Sequence, residues 1–177
     1  KALATAYAKQ GANLGLVGRK EKALEELAAS LPGQHRVYAL DILDRNALHA
    51  AARDFLEPGP FDVVIACAGI SIGTLTEYEE DFIQFQKVIH TNLLAMVATF
   101  EPFIKPMKAR DHGTLVGISS VAGVRGLPGS SAYSASKAAT TTYLESLRVD
   151  LHDTRLKVVT IAPGFIDTPM TQHNPYK

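Results

Sequence analysis

Gly113-Thr114-Leu115-Val116-Gly117-Ile118-Ser119-Ser120 leads through a loop holding Gly123, Gly126, Pro128 and Gly129 into Ser130-Ser131-Ala132-Tyr133-Ser134-Ala135-Ser136-Lys137-Ala138-Ala139. The first six residues read as a short buried strand that delivers two serines. The last ten read as the start of a helix. Tyr133 and Lys137 are four residues apart, which places them on one helix face. Ser120 stands thirteen residues before Tyr133, on a loop long enough to fold back over that helix start. A hydroxyl, a phenol and an ammonium gathered in this way suit proton transfer to or from an oxygen atom.

The rest of the chain repeats the strand-then-helix unit. Upstream, strands are expected at 13–18, 36–40 and 61–67, and downstream at 155–161. Helices are expected at 1–10, 20–30, 44–56 and 131–152, with Asp44 as an N-cap and Gly11 as a C-terminal stop. A long helical region is expected over 81–110, bent or interrupted by Pro102 and Pro106 near its end. Near-continuous apolar strands alternating with helices imply an α/β fold, a parallel sheet covered on both faces. Ligands of such sheets sit outside the carboxyl ends of the strands. Gly18-Arg19, Asp41, Ala68-Gly69, Ser119-Ser120 and Pro163-Gly164 each follow a strand, so the marked residues collect at that edge.

The 177 residues fit one domain with a real core. Lysine plus arginine balance aspartate plus glutamate at 18 each, with no basic block or one-sided tail, so neither a nucleic acid nor a membrane surface is expected as partner. No apolar run approaches the roughly 20 residues needed to span a bilayer, and the first ten residues read as a helix rather than a signal peptide. Cys67 is the single cysteine and forms no internal disulfide, in keeping with a reducing, cytoplasmic setting. The six histidines are scattered without ligand spacing, so no metal site is expected.

Asp41, Ala68-Gly69, Asn92 within Thr91-Asn92-Leu93, Ser120, the Tyr133-x-x-x-Lys137 pair and Pro163-Gly164 occur together and in order. In this the chain resembles the short-chain dehydrogenase/reductase family over essentially its whole length. The resemblance implies a Rossmann-type doubly wound sheet in three α/β/α layers, with residues 1–177 in a single domain. It implies an oxidoreductase that interconverts a carbonyl and an alcohol by hydride transfer with a nicotinamide cofactor. Tyr133 is then the acid or base, Lys137 tunes it and binds the nicotinamide ribose, and Ser120, rather than Ser119, holds the substrate oxygen. Asn92 matches the asparagine that kinks the long helix and holds a water in the proton relay.

The same resemblance implies nucleotide contacts at Arg19, Asp41, Ile42, Ala68, Gly69, Asn92, Tyr133, Lys137, Pro163, Gly164, Ile166 and Thr168. Asp41 would accept from the adenine amino group. Gly18-Arg19-Lys20 stands where NAD-preferring members carry an acidic residue, and a cationic pair suits a 2′-phosphate, so NADP(H) is expected over NAD(H). Cys67 replaces the family's usual asparagine. The family's first strand with its glycine-rich turn, and its C-terminal lid and last strand, are expected outside residues 1–177. A small-molecule carbonyl or alcohol is the expected substrate, and a homodimer or homotetramer the expected assembly; the face of Ala135, Ala139, Tyr143, Leu144 and Leu147 permits this, and core packing explains it equally well. Two rival readings are an NAD-dependent epimerase or lyase on the same scaffold, and a non-catalytic NADP-binding regulatory protein.

Overall fold

The computed structural model describes residues 1–57 and 59–166. Their contacts form two compact units, Lys1–Pro60 and Phe61–Lys177, and each is described by itself.

The first unit contains α1 (Ala2–Lys9), β1 (Leu14–Gly18), α2 (Glu21–Ala29), β2 (His35–Ala39) and α3 (Arg45–Leu56). β1 and β2 pair in parallel, Leu14 opposite His35 through Gly18 opposite Ala39. Gly11 adopts φ +83° just past α1, a conformation open to glycine without a Cβ penalty. Asp44 caps α3 by accepting from the Ala47 N–H at 3.0 Å. The Asp41 carboxylate accepts from the Leu43 N–H at 3.0 Å and shapes the turn after β2.

The second unit contains β3 (Val63–Ala66), α4 (Asp81–Ile89), α5 (Ala95–Arg110), β4 (Thr114–Ile118), α6 (Ser131–Asp150) and β5 (Lys157–Ile161). Its three strands form a parallel sheet in the order β3-β4-β5. β4, the middle strand, is the most buried, with Leu115 fully covered, because helices pack against it while neighbours pair on either edge. α6 turns Ala132, Ser136, Lys137, Thr140, Leu144 and Leu147 inward, a helical stripe. Of the face expected to serve an oligomer, Leu144 and Leu147 thus belong to the core, while Ala135, Ala139 and Tyr143 lie outside that stripe.

The prolines do not interrupt the long helical region. α5 runs unbroken through Pro102 and Pro106. Each removes only its own backbone bond, and the fully buried Phe100 and Met107 hold the helix against the core. The interruption comes earlier, between α4 and α5, where His90–Leu94 widens into a π-helical turn centred on Asn92. Such widened turns occur mostly as single insertions within α-helices.

α5 ends on Asp111 in the left-handed conformation, φ 49°. Its carboxylate accepts from both the backbone N–H and the Nε of Arg155, each at 2.8 Å, which ties the end of α5 to the approach to β5. These bonds, the backbone one first, hold the Asp111 carboxyl below the usual carboxylate range. A depressed carboxyl stabilises the fold above its unfolded pKa and loses that contribution as pH falls through its folded one. Asp111→Ala is therefore expected to lower the thermal midpoint at pH 7, and the gap to the wild type should close as melts are taken down through the acid range. A gap independent of pH would contradict this assignment.

Candidate active site

α6 carries the phenol and the ammonium. Its first turn holds Tyr133, half-buried, and Lys137 follows one turn later at 4% exposure. The Lys137 Nζ lies 5.7 Å from the centre of the Tyr133 ring and donates to the Ile118 carbonyl, the last residue of β4, at 2.7 Å. Burial pushes the Lys137 ammonium below the ordinary lysine value, and the nearby Cys67 pulls weakly the other way. While it stays charged, an ammonium beside a phenol favours the phenolate and brings its proton transfer nearer neutrality.

The two serines after β4 separate cleanly. Ser119 is buried, with its Oγ donating to the Lys137 carbonyl at 3.0 Å and lying 2.7 Å from Thr141 Oγ1. It anchors α6. Ser120 is half-exposed and caps the short 3₁₀ turn Val121–Gly123, its Oγ accepting from the Ala122 N–H at 3.2 Å. That bond uses an acceptor lone pair and leaves the hydroxyl proton to donate elsewhere. The backbone of this loop is held to the end of β5, with Ser119 N–H on the Ile161 carbonyl at 2.7 Å and Val121 N–H on the Pro163 carbonyl at 3.1 Å.

Asn92 is fully buried and its side chain is spent on structure. Oδ1 accepts from the Ile70 N–H at 2.8 Å, while Nδ2 donates to the Ile70 carbonyl at 2.9 Å and to Ser136 Oγ at 2.9 Å. The Asn92 side chain thus pairs with the backbone after β3 as a strand would, and joins it to α6. Its own carbonyl accepts from the Thr140 hydroxyl at 3.4 Å. Gly69 lies against this cluster: a Cβ there would stand 3.2 Å from Asn92 Oδ1 and 3.6 Å from Lys137 Nζ.

The structure therefore brings Asn92, Tyr133, Lys137, the Ser120 loop and Gly69 together within the second unit. Ala68, Gly164 and Ile166 are exposed and Pro163 half-buried at the ends of β3 and β5. In the first unit Arg19 and Asp41 are exposed and Ile42 is half-buried, after β1 and β2. Thr168 lies outside the described residues. Among the described residues nothing stands within 4 Å of a Cβ placed at Gly164, and Arg19 and Lys20 are exposed cations able to meet an anionic group. Cys67 is exposed and follows a β3 that pairs with β4 through Ala66, so its replacement of asparagine leaves the strand intact. Among the described residues no group of three or more His, Cys, Asp or Glu is placed so that it could hold a metal ion, and no helix is long and apolar enough to cross a membrane.

The family profile for short chain dehydrogenases matches residues 1–176. The chain belongs to the short-chain dehydrogenase/reductase family of oxidoreductases. An uncharacterized oxidoreductase of Myxococcus xanthus is 36% identical over 178 residues, covering 98% of this chain and 70% of that protein. Dehydrogenase/reductase SDR family member 7B of Mus musculus is 38% identical, covering 91% of this chain and 52% of that protein. The chain thus spans only part of these relatives. Among solved structures, ElxO with NADP bound superposes with a TM-score of 0.86 at 29% identity, over 97% of this chain and 70% of that one. The sheets described above are those of a Rossmann-type member of this family. Thr74, from the loop after β3, meets the start of α6, its Oγ1 accepting from the Ala132 N–H at 3.2 Å.

Proposed function

We propose that this short-chain dehydrogenase/reductase interconverts a carbonyl and an alcohol with NADP(H), using Tyr133, Lys137, Ser120 and Asn92. The observation that carries the reading is the buried Lys137 ammonium beneath the Tyr133 ring, pinned to the end of β4 where the Ser120 loop begins. The nicotinamide cofactor supplies or accepts the hydride. The protein's part is to handle the proton on the other atom of the C–O bond. In reduction the Tyr133 hydroxyl gives its proton to the substrate oxygen, and in oxidation the phenolate takes it back. The Ser120 hydroxyl donates to the same oxygen and stabilises the negative charge that develops there. Lys137 favours the phenolate form of Tyr133 electrostatically, and a water on the Asn92 carbonyl would lead the proton onward.

Ala68, Gly69, Pro163, Gly164, Ile166 and Thr168 are proposed to contact the nicotinamide half, and Asp41 and Ile42 the adenine. The preference for NADP(H) rests on Arg19 and Lys20, cations at the start of α2, where the helix dipole disfavours positive charge. It is supported by the NADP-bound state of ElxO. We further propose a cytoplasmic, homo-oligomeric enzyme.

The test is oxidation of NADPH and, in parallel, NADH against a panel of aldehydes and ketones. Turnover with NADPH favoured over NADH is expected. NADPH binding without turnover of any carbonyl would replace this reading with that of a non-catalytic binding protein.

A further inference from the structure

We propose that Thr74 is a positioning residue for Tyr133, acting as the N-cap that α6 does not supply for itself. A helix begins with backbone N–H groups that have no partner inside the helix, and the residue before the first turn normally accepts one of them with its side chain. Ser130 holds that place in α6 and makes no such bond. The Ala132 N–H donates instead to Thr74 Oγ1 at 3.2 Å, across 58 residues of sequence.

Every polar group of Thr74 is committed to this helix start. Its N–H donates to the Gly129 carbonyl at 3.0 Å. Its carbonyl accepts from the Ser131 hydroxyl at 3.2 Å, and the two hydroxyls lie 2.9 Å apart. Thr74 is 3% exposed, so water does not substitute for these partners. The hydroxyl closes a small ring of bonds in which Thr74 Oγ1 accepts from Ala132 and donates to Ser131, while Ser131 donates back to the Thr74 carbonyl.

Tyr133 is the next residue after Ala132, so the direction of its side chain follows the first turn that Thr74 fixes. The other end of the same segment is held by Ile70 on Asn92, and Asn92 reaches Ser136 on the far side of Tyr133. The segment 70–74 is thus sewn to α6 on both sides of the phenol. A hydroxyl that must meet a substrate oxygen loses rate steeply with displacement, a misplacement of about 1 Å costing on the order of 10²-fold. The structural requirement falls on the Thr74 hydroxyl, since serine supplies it and valine keeps the shape without it.

This inference rests on the proposed role of Tyr133, and the experiment separates the two. Thr74→Val, Thr74→Ser, Ser131→Ala and Tyr133→Phe are made in the intact enzyme and compared by kcat, KM and thermal melting. Thr74→Val is expected to lower kcat about tenfold with KM within about twofold, and Thr74→Ser to restore most of it. If Thr74→Val does not fold, Ser131→Ala carries the test, with a smaller loss confined to kcat. Wild-type kcat in the folded Thr74→Val protein would overturn the proposal, as would Thr74→Ser falling as low as valine. So would an unchanged kcat in Ser131→Ala where it stands in for Thr74→Val. If Tyr133→Phe itself keeps wild-type turnover, the role of the tyrosine fails first and this inference with it.

Discussion

Lys137→Met is expected to reduce turnover on the order of 10²-fold or more without lowering the thermal midpoint. The two halves of that result have separate physical sources. Turnover falls because the ammonium beside the Tyr133 ring is lost, and with it the charge that favours the phenolate. Stability holds because that ammonium is poorly accommodated: it is 4% exposed and its one hydrogen bond among the described residues goes to the Ile118 carbonyl. Burial is the dominant cause of its lowered pKa, which means that the folded protein disfavours the charged form relative to the unfolded chain. Methionine fills the same unbranched volume without a charge to desolvate. It leaves the Ile118 carbonyl without a donor, at a cost of about 1–3 kcal/mol, against which the relieved burial of the charge is set.

The pH dependence fixes the sign. Between the lowered folded pKa of Lys137 and its ordinary value of about 10.4, the unfolded chain holds a proton that the folded one has released. Stability then rises with pH across that window. The wild type should show this rise, and Lys137→Met should lack it. Kinetics and melts from neutral to alkaline pH check both halves. A midpoint many degrees lower in the variant, with turnover retained, would mean that Lys137 is a structural residue alone.

The site was legible in the sequence where its geometry is local. Tyr133 and Lys137 share a face by helical periodicity, and Ser119 and Ser120 are opposed by the extended backbone between them. One serine had to turn toward α6, and the structure shows that it is Ser119. By the family resemblance Asn92 was expected to kink the long helix, but the π form of that kink was not readable. That turn is held by Ile70, 22 residues earlier, and Ser136, 44 later. Pro102 and Pro106 drew attention as helix breakers, yet the local rule gave way to burial of Phe100 and Met107. Thr74 left no signal, because capping rules inspect the residue before the helix and here point to Ser130. The fold class was readable from the alternation of apolar strands and helices; the bonds that set the tyrosine in place come from distant segments, which pattern reading does not reach.

Gly123→Ala is expected to disable the site through backbone contact, and it probes the packing that holds α6 in place. A Cβ at Gly123 would stand 2.7 Å from the Lys137 carbonyl carbon, 2.8 Å from the Ala138 nitrogen and 2.9 Å from the Lys137 oxygen. These are main-chain atoms of α6, so no side chain can swing aside, and either the 3₁₀ turn or the helix must move. The turn is held by Val121 N–H on Pro163 and by the Ser120 cap. The helix is held at the same level by Ser119 Oγ on the Lys137 carbonyl and by Lys137 Nζ on Ile118. Either shift strains bonds that set the distances among Ser120, Tyr133 and Lys137. Overpacking of this kind costs about 1–3 kcal/mol, and a displacement near 1 Å in a reacting group costs on the order of 10²-fold in rate. Gly126, three residues further along the same loop, has nothing among the described residues within 4 Å of the corresponding position. Gly126→Ala is therefore the control, with a melt expected within about 0.5 kcal/mol of the wild type. Equal melts and equal kcat for the two variants would show that the contact between this turn and α6 does not set the site.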